Sequence, residues 1–456
     1  MMSNGSFSAP ELAEITRSPW ECGVPECENL TLSTDTRSDN HGKIFFALAG
    51  ERFDAHDFLG QAVASGASGL CIDRRKTASL PPGIPFLAVD DTLKAYQACG
   101  AYHRKRFPEL TLFGVTGSVG KTSVKEMLRS ICGAASPENP VLYTEGNTNN
   151  QIGVVQNLLR LTGRHRYAVI EAGTSSPGEI APLAEMMLPA GAIVNSIAPC
   201  HLEKLIDLDG VALEKSRIFD YLPSGGTAVF PAECAGKNIL RAAARSRKIL
   251  TFGLNGSGEV SAFLKQTDME KSIFDLRFPD GKIFTVKWQL TGEHNALNAA
   301  GAAALAYAHD IAPETIVRGL SATSLPGMRM KRSVLNGVTF FNDAYNANPA
   351  SMAASVKLLA GTKFPGRLIL VIGGMRELGD ISETAHRELL ENIRKFLPEA
   401  LLITIGAEFS AFGGNFFAGA EEAGKFLEKL MRSGDTVFAK GSRGNAVEKA
   451  LPPEVR

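Results

Sequence analysis

A chain of 456 residues is long enough for two to four domains, each burying its own core. Apolar residues make up 44% and charged residues 21%, and Lys plus Arg equals Asp plus Glu at 48 each. That balance gives no support to a general nucleic-acid or membrane-surface binder, although local basic sites remain open. No apolar run reaches the roughly 18 residues of a membrane span. The N-terminal MMSNGSFSAPELAEI lacks the basic flank and apolar core of a secretory leader. Seven Cys are scattered, and the one close pair, Cys22 and Cys27, has no second pair or nearby His to complete a zinc site. Reduced thiols in a cytoplasmic protein are expected.

Taken in chain order, three regions emerge, at 1–90, 91–325 and 326–456. In the first, GKIFFALAG (42–50) reads as a buried strand bounded by glycines, with a helical stretch and then GLCID (69–73) and FLAVDD (86–91) as further strands. PPGIP (81–85) is a turn-rich connector. Residues 91–107 have helical periodicity behind an Asp cap and lead into the second region. There LTLFGVTG (110–117), YAVIEAG (167–173), GAIVNSI (191–197) and GTAVF (226–230) are strands alternating with helical patterns, which predicts a mostly parallel sheet. Residues 258–290 change to hairpin-like alternation, and the Ala-rich stretch 292–308 predicts a helix. In the third region VTFFNDAY, RLILVIGG, LLITIG and TVFAK are strands between helices, a doubly wound pattern. The fold class is therefore α/β in three units.

GVTGSVGKTS (114–123) carries the strongest chemistry. It follows an apolar strand and opens a helix, the setting in which a glycine-rich turn cradles phosphate. Gly117 and Gly120 let backbone N–H groups approach phosphate oxygens, Ser118, Val119 and Ser123 complete the loop, Lys121 brings a full charge to the β/γ-phosphates, and the Thr122 hydroxyl suits Mg²⁺. The general pattern has Gly five residues before Gly120; this chain has Val115 there and its glycines at 114 and 117. Taken alone, the motif says nucleotide binding, or an ordinary strand-to-helix turn.

Together with EGNTNNQIG (145–153), EAG (171–173), TGEHNALNAA (291–300) and FNDAYNANPASM (341–352) in matching order, this loop resembles the Mur ligase family over nearly the full length. YNANP and VIGGMRELGD (371–380) resemble the branch of that family that adds D-alanyl-D-alanine. The resemblance implies a UDP-binding N-terminal unit, a central ATPase unit and a C-terminal Rossmann-like unit. The implied reaction is ATP-dependent joining of D-alanyl-D-alanine to UDP-N-acetylmuramoyl-tripeptide through an acyl phosphate, with ATP and two Mg²⁺ ions. It also implies a monomer, with no nucleic-acid partner and no membrane insertion.

Residue by residue, the resemblance makes Glu171 and His201 metal ligands, although Cys200 stands where the family has a small residue. Lys215 matches the lysine that the family carbamylates, with Arg217 in place of a glutamate two positions on. Asn298 matches an adenine contact, Arg329 a γ-phosphate contact and Asp343 a ribose contact. Thr36 and Arg37 match the diphosphate end of the UDP substrate, in a unit where GERFDAHDF (50–58) also resembles the family. Asn147, Thr148, Asn149 and Asn150 match its peptide portion. Lys440, Ser442 and Arg443 match without an assigned role. Each has a plainer alternative: a solvated lysine, a polar turn, a packed helix face. A Mur-type ligase for another amino acid and a non-catalytic nucleotide-sensing module are the rival readings. YNANP with MRELGD speaks against the first, and the joint presence of Lys121, Thr122, Glu171, His201 and Lys215 against the second.

Overall fold

In a computed structural model of the chain, residues 5–50 and 53–456 are described. The first four residues of the N-terminal reading, and Glu51 and Arg52 of the GERFDAHDF segment, lie outside them. The strand segments are buried along nearly their whole length, as expected where helices cover both faces of a parallel sheet.

Three sheets result. The first runs Trp20–Glu21, Phe86–Val89, Gly69–Asp73, Lys43–Phe46, Thr31–Ser33, and only its Trp20–Glu21 edge is antiparallel. The second has nine strands. From one edge Val141–Tyr143, Tyr167–Glu171, Thr111–Thr116, Gly191–Val194, Thr227–Pro231, Lys248–Leu254 and Val260–Thr267 run parallel. Ser272–Arg277 and Ile283–Trp288 then fold back antiparallel, matching the hairpin-like alternation of that stretch. The third sheet runs Lys331–Leu335, Val338–Asn342, Thr436–Lys440, Leu368–Gly373, Leu401–Ile405, Asn415–Phe417, antiparallel only at Lys331–Leu335.

The helix Thr92–Lys105 starts where the Asp91 carboxylate accepts the Lys94 N–H at 3.0 Å. Its buried Ala95, Tyr96 and Cys99 join one apolar cluster with Ile44, Phe46 and Leu87 of the first sheet and Leu112 and Ile170 of the second. On the other face of the second sheet, the helices Lys121–Ala135 and Glu293–Tyr307 pack over Phe113, Val115, Ile193 and Phe252.

Two places in this topology matter for function. The strand Thr111–Thr116 lies between Tyr167–Glu171 and Gly191–Val194, so the chain departs to opposite sides of it. A crevice opens at the carboxyl ends of such strands. In the third sheet Thr436–Lys440 likewise lies between Val338–Asn342 and Leu368–Gly373. Among the described residues, no helix is long and apolar enough to cross a membrane.

Candidate active site

The phosphate loop lies at the first switch point. Gly117 (φ 152°) and Gly120 (φ 80°) hold conformations that L side chains rarely adopt. A Cβ on Gly117 would come 3.0 Å from the Ser196 backbone nitrogen, and one on Gly120 would come 2.5 Å from Asn195 Nδ2 and 2.7 Å from Asn298 Oδ1. The loop therefore rests directly on the segment 195–196 and on the Ala-rich helix. Val115, the departure from the general pattern, is a fully buried strand residue. Ser118 donates to the Ala198 carbonyl (2.9 Å), and the Val119 N–H donates to the Ser196 hydroxyl (2.9 Å). The Val119 carbonyl accepts from Asn195 Nδ2 (2.8 Å). The first turn of the helix, Lys121 to Ser123, is left with its N–H groups directed out of the helix end. Lys121 Nζ donates back to the Gly117 carbonyl at 2.7 Å, which keeps the ammonium over the loop.

Glu171 ends the neighbouring strand, in register with Val115. The carboxyl is 2% exposed; Oε2 accepts a long hydrogen bond from the Thr122 hydroxyl (3.4 Å), and Oε1 is buried without a hydrogen-bond partner. Burial pushes its pKa up against the opposing pull of Lys125, Lys121 and Arg329. Lys125, not singled out from the sequence, is itself buried, 2.6 Å from Glu126 Oε1, 4.0 Å from Glu171 Oε1, and donating to the Thr144 carbonyl at 2.9 Å. An orphaned carboxylate oxygen beside a threonine hydroxyl at a phosphate-loop helix fits Mg²⁺, which takes one or two protein oxygens and completes its shell with phosphate and water. Among the described residues no group of three or more His, Cys, Asp and Glu forms a complete metal cage.

Lys215 lies in the helix Leu208–Ser216 and is 1% exposed. Burial, reinforced by Lys121, lowers its pKa to about 8 against weaker opposing pulls from Cys200 and Glu214. Its neighbour Glu214 is engaged elsewhere, accepting the N–H groups of Gly178, Glu179 and Ile180 at 2.7–2.9 Å. Arg217 points away and pairs with Asp220 (3.3 Å), so it adds no charge at Lys215. Cys200 Sγ donates to Ser118 Oγ at 3.2 Å, which ties the substituted position to the phosphate loop. His201 Nδ1 is 2.7 Å from Glu377 Oε2, a residue of the third unit.

The third unit meets the central unit at Asn147 and His201. The Arg329 guanidinium stacks on the Tyr345 ring (3.7 Å to its centroid), and the Tyr345 hydroxyl hydrogen-bonds Asn147 Oδ1 of the central unit. Asp343, at the second switch point, accepts from Lys440 Nζ (2.5 Å) and the Met330 N–H (3.2 Å), which gives Lys440 a positioning role. Ser442 Oγ donates to the Ala347 carbonyl and accepts the Arg376 N–H, and Arg443 pairs with Glu448; both brace the third unit internally. Asn298, expected at the adenine edge, has its amide beneath the loop, accepting from Asn195 (3.0 Å) and donating to Asn295 (3.4 Å).

Among the described residues, Asn147 is the one side chain of the EGNTNN loop that hydrogen-bonds to the third unit. Thr148 is folded onto the Glu145 carbonyl and Asn157, the Asn149 side chain lies against Gly173, and Asn150 Oδ1 accepts the N–H groups of Ile152 and Gly153. Asn348 is an N-cap in a reciprocal pair with Ser351, and Pro349 is the first helical residue. Thr36 and Arg37 lie apart from the phosphate loop; Thr36 bonds Gln61 and Arg37 pairs with Asp35.

The Mur ligase middle domain model matches residues 115–306, and the Mur ligase, glutamate ligase domain model matches residues 328–443. The chain is 37% identical to a UDP-N-acetylmuramoyl-tripeptide–D-alanyl-D-alanine ligase of Escherichia coli K12, covering 92% of both. It superposes on MurF of Acinetobacter baumannii with a TM-score of 0.88 at 33% identity, covering 98% of both chains. It superposes on the MurF ligase of Thermotoga maritima in complex with ADP with a TM-score of 0.80 at 25% identity, over 92% of this chain and 96% of that one.

Proposed function

The chain belongs to the Mur ligase family, and on that premise we propose that it joins D-alanyl-D-alanine to UDP-N-acetylmuramoyl-tripeptide, converting ATP to ADP and phosphate, in the cytoplasm and as a monomer. The observation that carries this reading is the assembly of Lys121, Thr122 and Glu171 at one sheet edge, faced by Arg329 and Tyr345 from the third unit.

In this reading the units 1–90, 91–325 and 326–456 hold the UDP end, ATP and the incoming dipeptide respectively. The tripeptide's terminal carboxylate attacks the γ-phosphorus, and ADP leaves. The dipeptide amine then attacks the acyl phosphate carbon, and the tetrahedral intermediate collapses with loss of phosphate. Gly117 to Ser123 receive the phosphates on backbone N–H groups, and Lys121 turns from the Gly117 carbonyl to the β/γ-phosphates. Arg329 brings a planar cation to the γ-phosphate, oriented by its stack on Tyr345. Asp343, fixed by Lys440, receives the ribose hydroxyls, and Asn298 serves the adenine end while bracing the loop. Thr36 and Arg37 contact the diphosphate, and Asn147 to Asn150 contact the peptide.

One divalent ion fits Thr122 and Glu171; the family resemblance puts a second on His201 and a carbamylated Lys215. Bound there, they would neutralise phosphate charge and polarise the transferring group. The depressed pKa of Lys215 favours the neutral amine that reacts with carbon dioxide. The test is product mass. Purified protein with ATP, Mg²⁺, the UDP-tripeptide and D-alanyl-D-alanine should give the UDP-pentapeptide with one phosphate released per product. Failure to consume ATP with both substrates, or incorporation of a single amino acid instead, refutes the proposal.

A further inference from the structure

Beside the catalytic edge lies a cavity of about 260 Å³ that the reaction as described does not use. Its walls come from the phosphate-loop helix (Lys125, Glu126, Arg129), the strand end Tyr143, Glu145 of the EGNTNN segment and Pro326 of the connection into the third unit. The charges in it are built in. Lys125 and Glu126 have side chains 2% and 4% exposed and pair at 2.6 Å. Arg129 stacks on Tyr143 at 4.8 Å and uses Nε on Glu126 Oε2 at 2.7 Å. Among the described residues, no hydrogen bond engages its two terminal nitrogens, and the side chain is 38% exposed. Glu145 lies at the mouth, 57% exposed and paired with Arg160 at 2.6 Å. The inner wall is one side chain from the chemistry, because Lys125 Nζ is 4.0 Å from Glu171 Oε1.

Resting on the ligase reading above, we propose that this cavity receives the side chain of the tripeptide's third residue and that Arg129 selects a zwitterionic diamino-dicarboxylic acid, diaminopimelate, over lysine. The third residue carries the carboxylate to be activated, so its side chain must leave from beside Glu171 and the phosphate loop. A diaminopimelate side chain ends in an ammonium and a carboxylate. The cavity offers the first the exposed carboxylate of Glu145, which an ammonium would share with Arg160, and offers the second the free fork of a guanidinium, the geometry that carboxylates match in bidentate fashion. A lysine side chain would satisfy the anion and leave the guanidinium without its partner.

The experiment compares initial rates for UDP-muramoyl tripeptides carrying diaminopimelate or lysine, on the wild type, Arg129→Met and Arg129→Lys, with a melting curve for each protein. The wild type should prefer the diaminopimelate substrate by about tenfold or more in kcat/KM, the range for one charge-assisted pair. Arg129→Met should erase the preference by raising KM for that substrate alone, leaving KM for ATP and the lysine substrate within about twofold. Arg129→Lys should fall between, since an ammonium cannot form the fork. Equal kcat/KM for the two tripeptides on the wild type, or an equal rise of both KM values in either Arg129 variant, overturns the inference while leaving the ligase reading in place. Turnover of neither tripeptide would instead remove the ligase reading and this inference with it.

Discussion

Replacing Lys215 by Met should make the protein more stable and inactive. The ammonium is 1% exposed, and among the described residues it forms no ion pair, its neighbour Glu214 being taken up by backbone N–H groups. Burial first, then Lys121, brings its pKa from the ordinary 10.5 to about 8. At 1.36 kcal/mol per pH unit that difference is about 3 kcal/mol. The sign follows from proton counting. Between pH 8 and 10.5 the unfolded chain holds a proton that the folded chain has lost, so wild-type stability rises with pH across that window. Below pH 8 both states are protonated and the full penalty is present. Methionine fills a similar volume without the charge. In carbon-dioxide-free buffer Lys215→Met should therefore gain about 3 kcal/mol at pH 7, with the gain fading towards pH 10.5. Urea unfolding followed by Trp288, buried in the central sheet, in a Trp20→Phe background reads the difference. A variant no more stable than its parent at pH 7, or a gain that does not shrink with pH, refutes the argument. Added bicarbonate should stabilise the parent alone if the amine is carbamylated.

Lys121→Ala should lower turnover by roughly 100–1,000-fold or more, the scale of losing a dedicated charge donor, while leaving affinity for the UDP-tripeptide intact by calorimetry. Gly120→Ala places a Cβ 2.5 Å from Asn195 Nδ2 at a φ of 80°, and strain of about 1–2 kcal/mol from the left-handed backbone adds to the clash; ADP affinity should fall by tenfold or more. Tyr345→Phe keeps the stack under Arg329 and removes only the hydroxyl that reaches Asn147, so kcat should fall about two- to tenfold with KM for ATP unchanged.

What could be read from the chain alone was whatever a short stretch dictates by itself. The strands Thr111–Thr116 and Tyr167–Glu171 are continuous apolar runs because both faces are covered, and such runs are visible in sequence. Asp91 and Pro349 mark helix starts through their own local chemistry. Two of the strands that escaped notice are short or solvent-facing: Val141–Tyr143 has three residues, and Lys331–Leu335 is an edge strand with exposed lysine and arginine. Lys248–Leu254 escaped too, although it is seven residues long and lies inside the central sheet. Lys121, Thr122 and Glu171 do meet as expected, because a loop, a helix start and a strand end at one switch point converge whatever the details.

The residues that sequence reading missed share a different property: their role exists only after folding. Lys125 reads as an ordinary helix lysine, and its one signal is a spacing of four from Lys121, which puts both on the same helix face towards Glu171. Glu377 and Tyr345 carry no local sign that they will meet His201 and Asn147 across the junction of the central and third units. Those two contacts join the EGNTNN loop and the His201 turn to the unit that presents Arg329. Arg329 stacks on Tyr345, and Tyr345 holds Asn147, so any movement of the third unit that breaks the hydroxyl contact also moves the guanidinium. If, as proposed, Asn147 serves the peptide and Arg329 the γ-phosphate, these two groups are coupled through one tyrosine. On that assignment, activation of the carboxylate would depend on both the loop and the third unit being in place, so that a site assembled from separate units would withhold phosphoryl transfer until its acceptor is seated.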